Sequence, residues 1–380
     1  MILQLAEYRR IALFSNQSSW LPDQGKYLVE VLHEEGRLRK LFIPEHGFFA
    51  EWQDQHKLDA PQYDFLSQDI DIVSLYGSSA ESLKPRKQDF EDIDSLLIDI
   101  RDAGARYFTF ITHLYYLLQA VQESGRNIPV LVVDRPNAAG NQVEGTVLPE
   151  KYSSFLGVAG LPHRYGLSIG ELARYFKSKL NAEFDLQLMK PENDFWIQPS
   201  PNMPLRETVQ VYAGQCLFEG TTLSEGRGTT RPFEIFGAPF LSYENVLKIR
   251  DEVLAEYPYI KDSFVLRPLQ FVPAFHKHAG VVCNGFQLHV TGPGYHSLML
   301  SMLLLRTIQS VSGYDIFLKE PYEYGSDRPA IEILLGDDSL LDFVRGKGNA
   351  TEIQKYLREN EQAWITECRE IGVGGNTKLI

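Results

Sequence analysis

SLLIDIRDAGARYFTFITHLYYLLQAVQESG, residues 95–125, holds the repeating unit of an α/β protein in one stretch. Ser95–Ile100 is a short, nearly continuous apolar run, the pattern of a strand buried on both faces. Asp99, Arg101, Asp102 and Arg106 crowd its end. Phe110–Glu123 then carries apolar residues at helical spacing and stops at Gly125, a residue suited to the left-handed turn past a helix. Four other runs repeat the strand: Arg10–Ser15, Arg39–Pro44, Asp71–Tyr76 and Pro129–Asp134. Helical patterns fall at Lys26–Glu35 and Ser168–Leu180, the latter opening with Ser168 and Glu171 in capping-box spacing, and a strand follows at Asp185–Lys190. Strands alternating with helices predict an α/β fold built on a mostly parallel sheet with helices on both faces.

Beyond this unit the pattern changes. Residues 191–240 are rich in Pro, Gly, Thr and Ser and predict a long functional loop. The rest reads as a smaller α+β unit: helix Tyr243–Tyr257, strands near Val265–Phe275 and Val281–Thr291, helix Ser297–Val311, strand Ala330–Leu335 and helix Thr351–Glu370. Two domains are expected, residues 1–240 and 241–380, which suits a chain of 380 residues.

With 37 basic against 50 acidic residues the formal net charge is -13, which opposes binding to nucleic acid or to an anionic membrane. No apolar run is long enough to span a bilayer, and Met1 to Arg10 lacks the pattern of an export signal, so a cytoplasmic protein is expected. Cys216, Cys283 and Cys368 are too scattered for a disulfide framework or a metal site, and no cofactor or metal is expected. Phosphate-binding loops and a GxSxG elbow are absent. His276 and His278 share one face of an extended segment but have no evident third ligand.

In an open α/β sheet, ligands bind beyond the C-terminal strand ends. Those ends carry Asn16, Glu45 and His46, Tyr76, then Asp99, Asp102 and Arg106, and finally Asp134-Arg135. Each has a structural alternative. Glu45 suits a turn, His46 a hydrogen-bonded imidazole, Asp99 and Asp134 helix caps, and Asp102 with Arg106 a local ion pair. Five polar strand ends together predict a shared cleft. Pro199–Pro204 reads as a rigid extended segment presenting Asn202. In Phe218–Arg231, glycines flank Glu225 and Arg227, and Arg227 and Arg231 have the chemistry to grip a carboxylate.

The segments PEHGF (44–48), SLYG (74–77), DIRDAGARYFTF (99–110), DRPN (134–137), YGLSIGEL (165–172), PSPNMP (199–204) and FEGTTLSEGRGTTRPFEIFGAP (218–239) follow one another in this order. In this the chain resembles glycoside hydrolase family 171, formerly domain of unknown function 1343, the NamZ-type exo-β-N-acetylmuramidases. The resemblance implies a Rossmann-like domain joined to a smaller one with the site in the cleft between them. It also implies release of N-acetylmuramic acid from the non-reducing end of peptidoglycan-derived glycans. It maps the catalytic residue onto Glu45. Two departures lie close by: Phe49-Ala50-Glu51 replaces an expected Arg-Gly after Phe48, and Arg101 replaces a glutamine.

On that basis Glu45 is the expected general acid, its pKa raised by burial against Phe42, Phe48 and Phe49. His46 orients it. Asp102 or Glu225 orients the substrate acetamide or activates water, and Arg227 or Arg231 holds the lactyl carboxylate. Asn202 binds a sugar hydroxyl, Tyr76 or Tyr107 forms a sugar platform, and Asn16 and Arg106 complete the binding set. The alternatives are a hydrolase or lyase for another acidic amino sugar, a non-catalytic glycan-binding protein, and a nucleotide-dependent oxidoreductase.

Overall fold

A computed structural model describes residues 5–53, 56–58, 61–67, 69–192, 196–322 and 327–380. Residues 1–4 of the N-terminal reading and 193–195 of the loop at 191–240 lie outside the described residues. The first unit is a six-stranded, wholly parallel sheet: β1 (Ile11–Ser15), β2 (Leu38–Ile43), β3 (Asp71–Ser74), β4 (Ser95–Asp99), β5 (Val130–Val133) and β6 (Leu186–Met189). Their spatial order is β3-β2-β1-β4-β5-β6, the doubly wound order of a Rossmann fold. The chain reverses direction across the sheet between β1 and β4, and the crevice above that point is where such sheets bind ligands.

Strand residues alternate between two cores. Ala12, Phe14, Leu96, Ile98, Val130 and Val132 face one layer, which α2 (Phe110–Ser124) and α3 (Ile169–Lys179) share. Ile11, Leu13, Leu97, Leu131 and Val133 face the other, with Leu28, Val29 and Leu32 of α1 (Leu28–Glu34). Both helix boundaries read from sequence have their physical cause in place: Gly125 ends α2 at φ 68°, and the Ser168 side chain caps α3 by accepting from Glu171 N.

The second unit centres on an antiparallel sheet of β7 (Ile235–Ala238), β8 (Phe264–Phe271) and β9 (Cys283–Val290) in the order β8-β9-β7. It packs against α5 (Tyr243–Glu256), which in turn packs against α6 (Ser297–Ser312). Three elements differ from the sequence reading. The loop at 191–240 holds helix α4 (Arg206–Gln215) and strand β7, so it is not one long loop. Ala330–Leu335 is helix α7, not a strand, bracketed by Pro329 as N-cap and Gly336 in the left-handed region. A further helix, α8 (Asp338–Val344), precedes α9 (Ala350–Ile371). All three cysteines are free and buried.

A buried polar network joins the two units. Glu144 receives Arg164 at 2.7 Å and caps the start of α6, accepting from Ser297 Oγ at 2.7 Å and Leu298 N at 2.9 Å. There its negative charge also meets the positive end of the helix dipole. His296 bridges Glu144, at 3.3 Å, and Glu361 of α9, at 2.8 Å. Burial alone would lower the His296 pKa, but Glu361 and Glu144 outweigh it and push the value up to about 9. A folded value above the ordinary 6.5 means that this stabilisation is full below that pH and is lost as pH rises through about 9. The melting temperature of the wild type should therefore fall as pH rises across that window, and His296→Gln should flatten the fall. An equally steep fall in the variant, followed by thermal denaturation, would contradict this account of the network.

Candidate active site

Pro44 ends β2 and sends the chain into a tight turn. His46 (φ 75°), Gly47 (φ 84°) and Ala50 (φ 53°) all adopt left-handed backbone. Gly47 takes a φ that side-chain-bearing residues rarely adopt, and a Cβ there would also have to displace the Glu51 carboxylate, 2.4 Å away. Glu51 closes the turn by accepting from Phe49 N at 2.9 Å, and Phe49 packs edge-on against Tyr27, Phe48, Tyr63 and Phe65. The Phe49-Ala50-Glu51 departure thus builds an aromatic buttress under the turn. Ala50 takes a conformation that glycine, expected there, adopts without strain.

The turn delivers Glu45 and His46 into a cavity of about 480 Å³, counted to its open mouth. Glu45 is nearly buried, and its Oε2 accepts from Thr109 Oγ1 at 2.9 Å. Thr109 directly precedes α2, so one helix start and one strand end meet at this carboxylate. His46 Nδ1 lies 3.0 Å from Trp52 O; because a carbonyl only accepts, Nδ1 carries the proton. The aromatic wall comes from Tyr107, Phe108, Tyr212 and Phe233, and none of Phe42, Phe48 and Phe49 lines the cavity. Tyr76 and Asn202 also line it. Asn202 lies in a turn within Pro199–Pro204, where its Nδ2 donates to Gln53 Oε1 at 2.9 Å.

Opposite the strand ends, the loop at 218–228 contributes Glu219 and Arg227. The Arg227 guanidinium donates to Glu219 Oε1 at 3.0 Å and Tyr322 Oη donates to Glu219 Oε2 at 3.0 Å. Arg227 also stacks over Phe233, with its Cζ 5.2 Å from the ring centroid. Behind them Glu225 is fully buried and meets three side chains: Lys277 at 2.9 Å, His276 at 3.0 Å and Arg227 at 3.3 Å. Burial opposes its ionisation, yet Lys277, His276 and Arg227 more than offset that and hold its carboxyl well below the usual range. Lys277 also donates to the carbonyls of Phe218, at 2.9 Å, and Glu219, at 3.2 Å. The turn between β8 and β9 therefore clamps the loop that bears Glu219.

Of the residues singled out from sequence, the fold brings Glu45, His46, Tyr76, Tyr107, Asn202 and Arg227 to one cavity. Five others do not line it. Asn16 caps the short 3-10 turn Gln17–Ser19, its Oδ1 accepting from Ser18 N. Asp102 accepts from Gly104 N at 2.6 Å and from the Tyr165 hydroxyl. Arg106 is buried, where it donates to the carbonyls of Thr146, Leu334 and Leu335, the last two at the C-terminal end of α7. Glu225 is committed to the cations behind the wall. Arg231 has a side chain 41% exposed and pairs with Glu234 at 3.6 Å. Asp99 and Arg135 form a buried bidentate pair across the ends of β4 and β5, and Asp134 accepts from Gly170 N at the start of α3.

Sequence reading passed over Glu219 and Thr109, although both stand inside the quoted motifs. A threonine immediately before a helix was a usable sign; nothing local separated Glu219 from Glu225. Among the described residues no cluster of His, Cys, Asp and Glu has the arrangement of a metal site, and no helix is long and apolar enough to cross a membrane.

Comparison with known proteins agrees along the whole chain. Residues 11–207 match the N-terminal family model of exo-beta-N-acetylmuramidase NamZ, and residues 210–372 match its C-terminal one. The chain is 35% identical over 318 residues to the peptidoglycan beta-N-acetylmuramidase NamZ of Bacillus subtilis (strain 168), covering 80% of this chain and 73% of that one. Two crystal structures of DUF1343 family proteins from Bacteroides fragilis NCTC 9343 share the fold. One has a TM-score of 0.79 at 23% identity, over 99% of this chain and 96% of its own. The other has 0.70 at 24%, over 97% and 94%. The chain belongs to the NamZ family.

Burial without a charged partner pushes the Asp102 pKa up to about 7. Its charge therefore destabilises the fold as pH rises through that value, and a neutral amide is accommodated in its place. Asp102→Asn and Arg231→Ala should each keep kcat/KM on a muramoyl substrate within about threefold of wild type. Steady-state kinetics showing a hundredfold loss in either would return that residue to the site.

Proposed function

We propose that this NamZ-family chain is an exo-acting glycosidase that releases N-acetylmuramic acid from the non-reducing end of peptidoglycan-derived glycans. One observation carries the reading: two carboxylates, Glu45 and Glu219, line the same cavity. Glu219 accepts from the Arg227 guanidinium and from Tyr322 Oη, and Glu45 accepts from the Thr109 hydroxyl.

Glu45 is the general acid. The Thr109 hydroxyl donates to Oε2 and holds the carboxyl in place, and the Glu45 proton passes to the departing glycosidic oxygen. As that bond breaks, positive charge gathers at the anomeric carbon and ring oxygen. Glu219 is the second group: it orients the acetamido group for attack by its own carbonyl oxygen, or it activates the water. Arg227, the one arginine of the pair expected from sequence that lines the cavity, reads the lactyl carboxylate. Asn202 serves a ring hydroxyl, and the aromatic wall covers the apolar sugar face.

Glu45→Gln should lower kcat on a chromogenic N-acetylmuramide by about 10²–10⁴-fold with an unchanged melting temperature; near-normal turnover would refute the acid. Glu219→Gln should lower kcat in the same assay. Arg227→Ala should abolish the preference for muramide over N-acetylglucosaminide, which lacks the lactyl group. An unchanged ratio of the two kcat/KM values would reject that role.

A further inference from the structure

An exo-acting muramidase takes one sugar into its cavity and leaves the rest of the glycan outside. On the muramidase reading above, on which this inference rests, the N-acetylglucosamine beyond the scissile bond must lie on the surface at the mouth. Trp52 stands there. Its backbone is held to His46 in both directions: its N–H donates to His46 O at 3.0 Å, and its carbonyl receives His46 Nδ1 at 3.0 Å. The next residue, Gln53, accepts from Asn202. His46 and Asn202 both line the cavity. The Trp52 backbone is therefore tied to the catalytic turn by two hydrogen bonds.

The side chain itself is 42% exposed, among the few large apolar groups left open to solvent. It lies flat on His56, with ring centroids 3.9 Å apart and planes 4° from parallel. This stacking fixes the plane of the indole in advance, so little freedom is lost when a ligand covers it. A flat aromatic face next to the catalytic turn suits the axial C–H face of a β-linked N-acetylglucosamine, whose polar groups are equatorial and point to water. Solitary exposed apolar residues need no explanation, but this one is braced by a second ring, and its backbone is hydrogen-bonded to His46, which lines the cavity.

We propose that Trp52, backed by His56, is the platform for the leaving-side N-acetylglucosamine and thereby sets affinity for the glycan against simple muramides. The test compares wild type, Trp52→Ala and Trp52→Phe on the disaccharide of N-acetylmuramic acid and N-acetylglucosamine. Calorimetric titration of all three proteins with N,N′-diacetylchitobiose runs in parallel. Trp52→Ala should raise KM for the disaccharide about tenfold, with the loss in KM rather than kcat, and should weaken chitobiose binding by a similar factor. Trp52→Phe should restore most of both. An unchanged KM in Trp52→Ala overturns the platform. A wild type that leaves the disaccharide uncut refutes the muramidase reading instead, and the titration then decides the platform alone: binding that is absent from the wild type, or equal in Trp52→Ala, overturns it.

Discussion

Glu225 is a carboxylate with no access to water, and the fold around the cavity follows from having to neutralise it. A charge in that position is tolerated only when cations and hydrogen-bond donors surround it. Lys277 and His276 supply two of the contacts from the turn between β8 and β9, and Arg227 supplies a third from its own loop. Once these are fixed, so are the Phe218 and Glu219 carbonyls on Lys277, the Arg227 guanidinium and the Glu219 carboxylate. The second unit is thereby committed to one wall of the cavity. The other wall is the strand end of β2 with its strained turn, where Glu45 meets Thr109.

The two walls need a stable relation to each other, and the buried Glu144, Arg164, His296 and Glu361 network supplies one between the units. Arg106 adds another link by donating to the last carbonyls of α7. These residues act on the site without lining it, because a shift of the second unit would move Glu219 and Arg227 relative to Glu45.

Much of the first unit was legible because a doubly wound sheet writes its strands as apolar runs and its helices as amphipathic ones. The position of Glu45 after β2 followed from the same logic. What sequence could not show was which polar residues the fold would neutralise. Glu225, flanked by glycines, looked ligand-facing; its partners Lys277 and His276 lie far along the chain, so no local pattern revealed its burial. Asp102 and Arg106 are spaced for a helix, yet the segment between β4 and α2 is not one, and each finds its own distant partner. Ala330–Leu335 read as a strand because six largely apolar residues give no usable period; Pro329 and Gly336 at its ends were the better guide. Helix α4 was hidden by Gly, Thr and Val in a proline-led stretch.

The central claim is that a single sugar is held between Glu45 and Glu219, with its glycosidic oxygen presented to Glu45. A crystal structure of the Glu45→Gln protein with the disaccharide of N-acetylmuramic acid and N-acetylglucosamine tests it most directly. The account requires the muramoyl ring in the cavity, the glycosidic oxygen within about 3 Å of the residue 45 side chain, and the lactyl carboxylate on Arg227. A disaccharide bound elsewhere, or one whose scissile bond lies out of reach of residue 45, would contradict it.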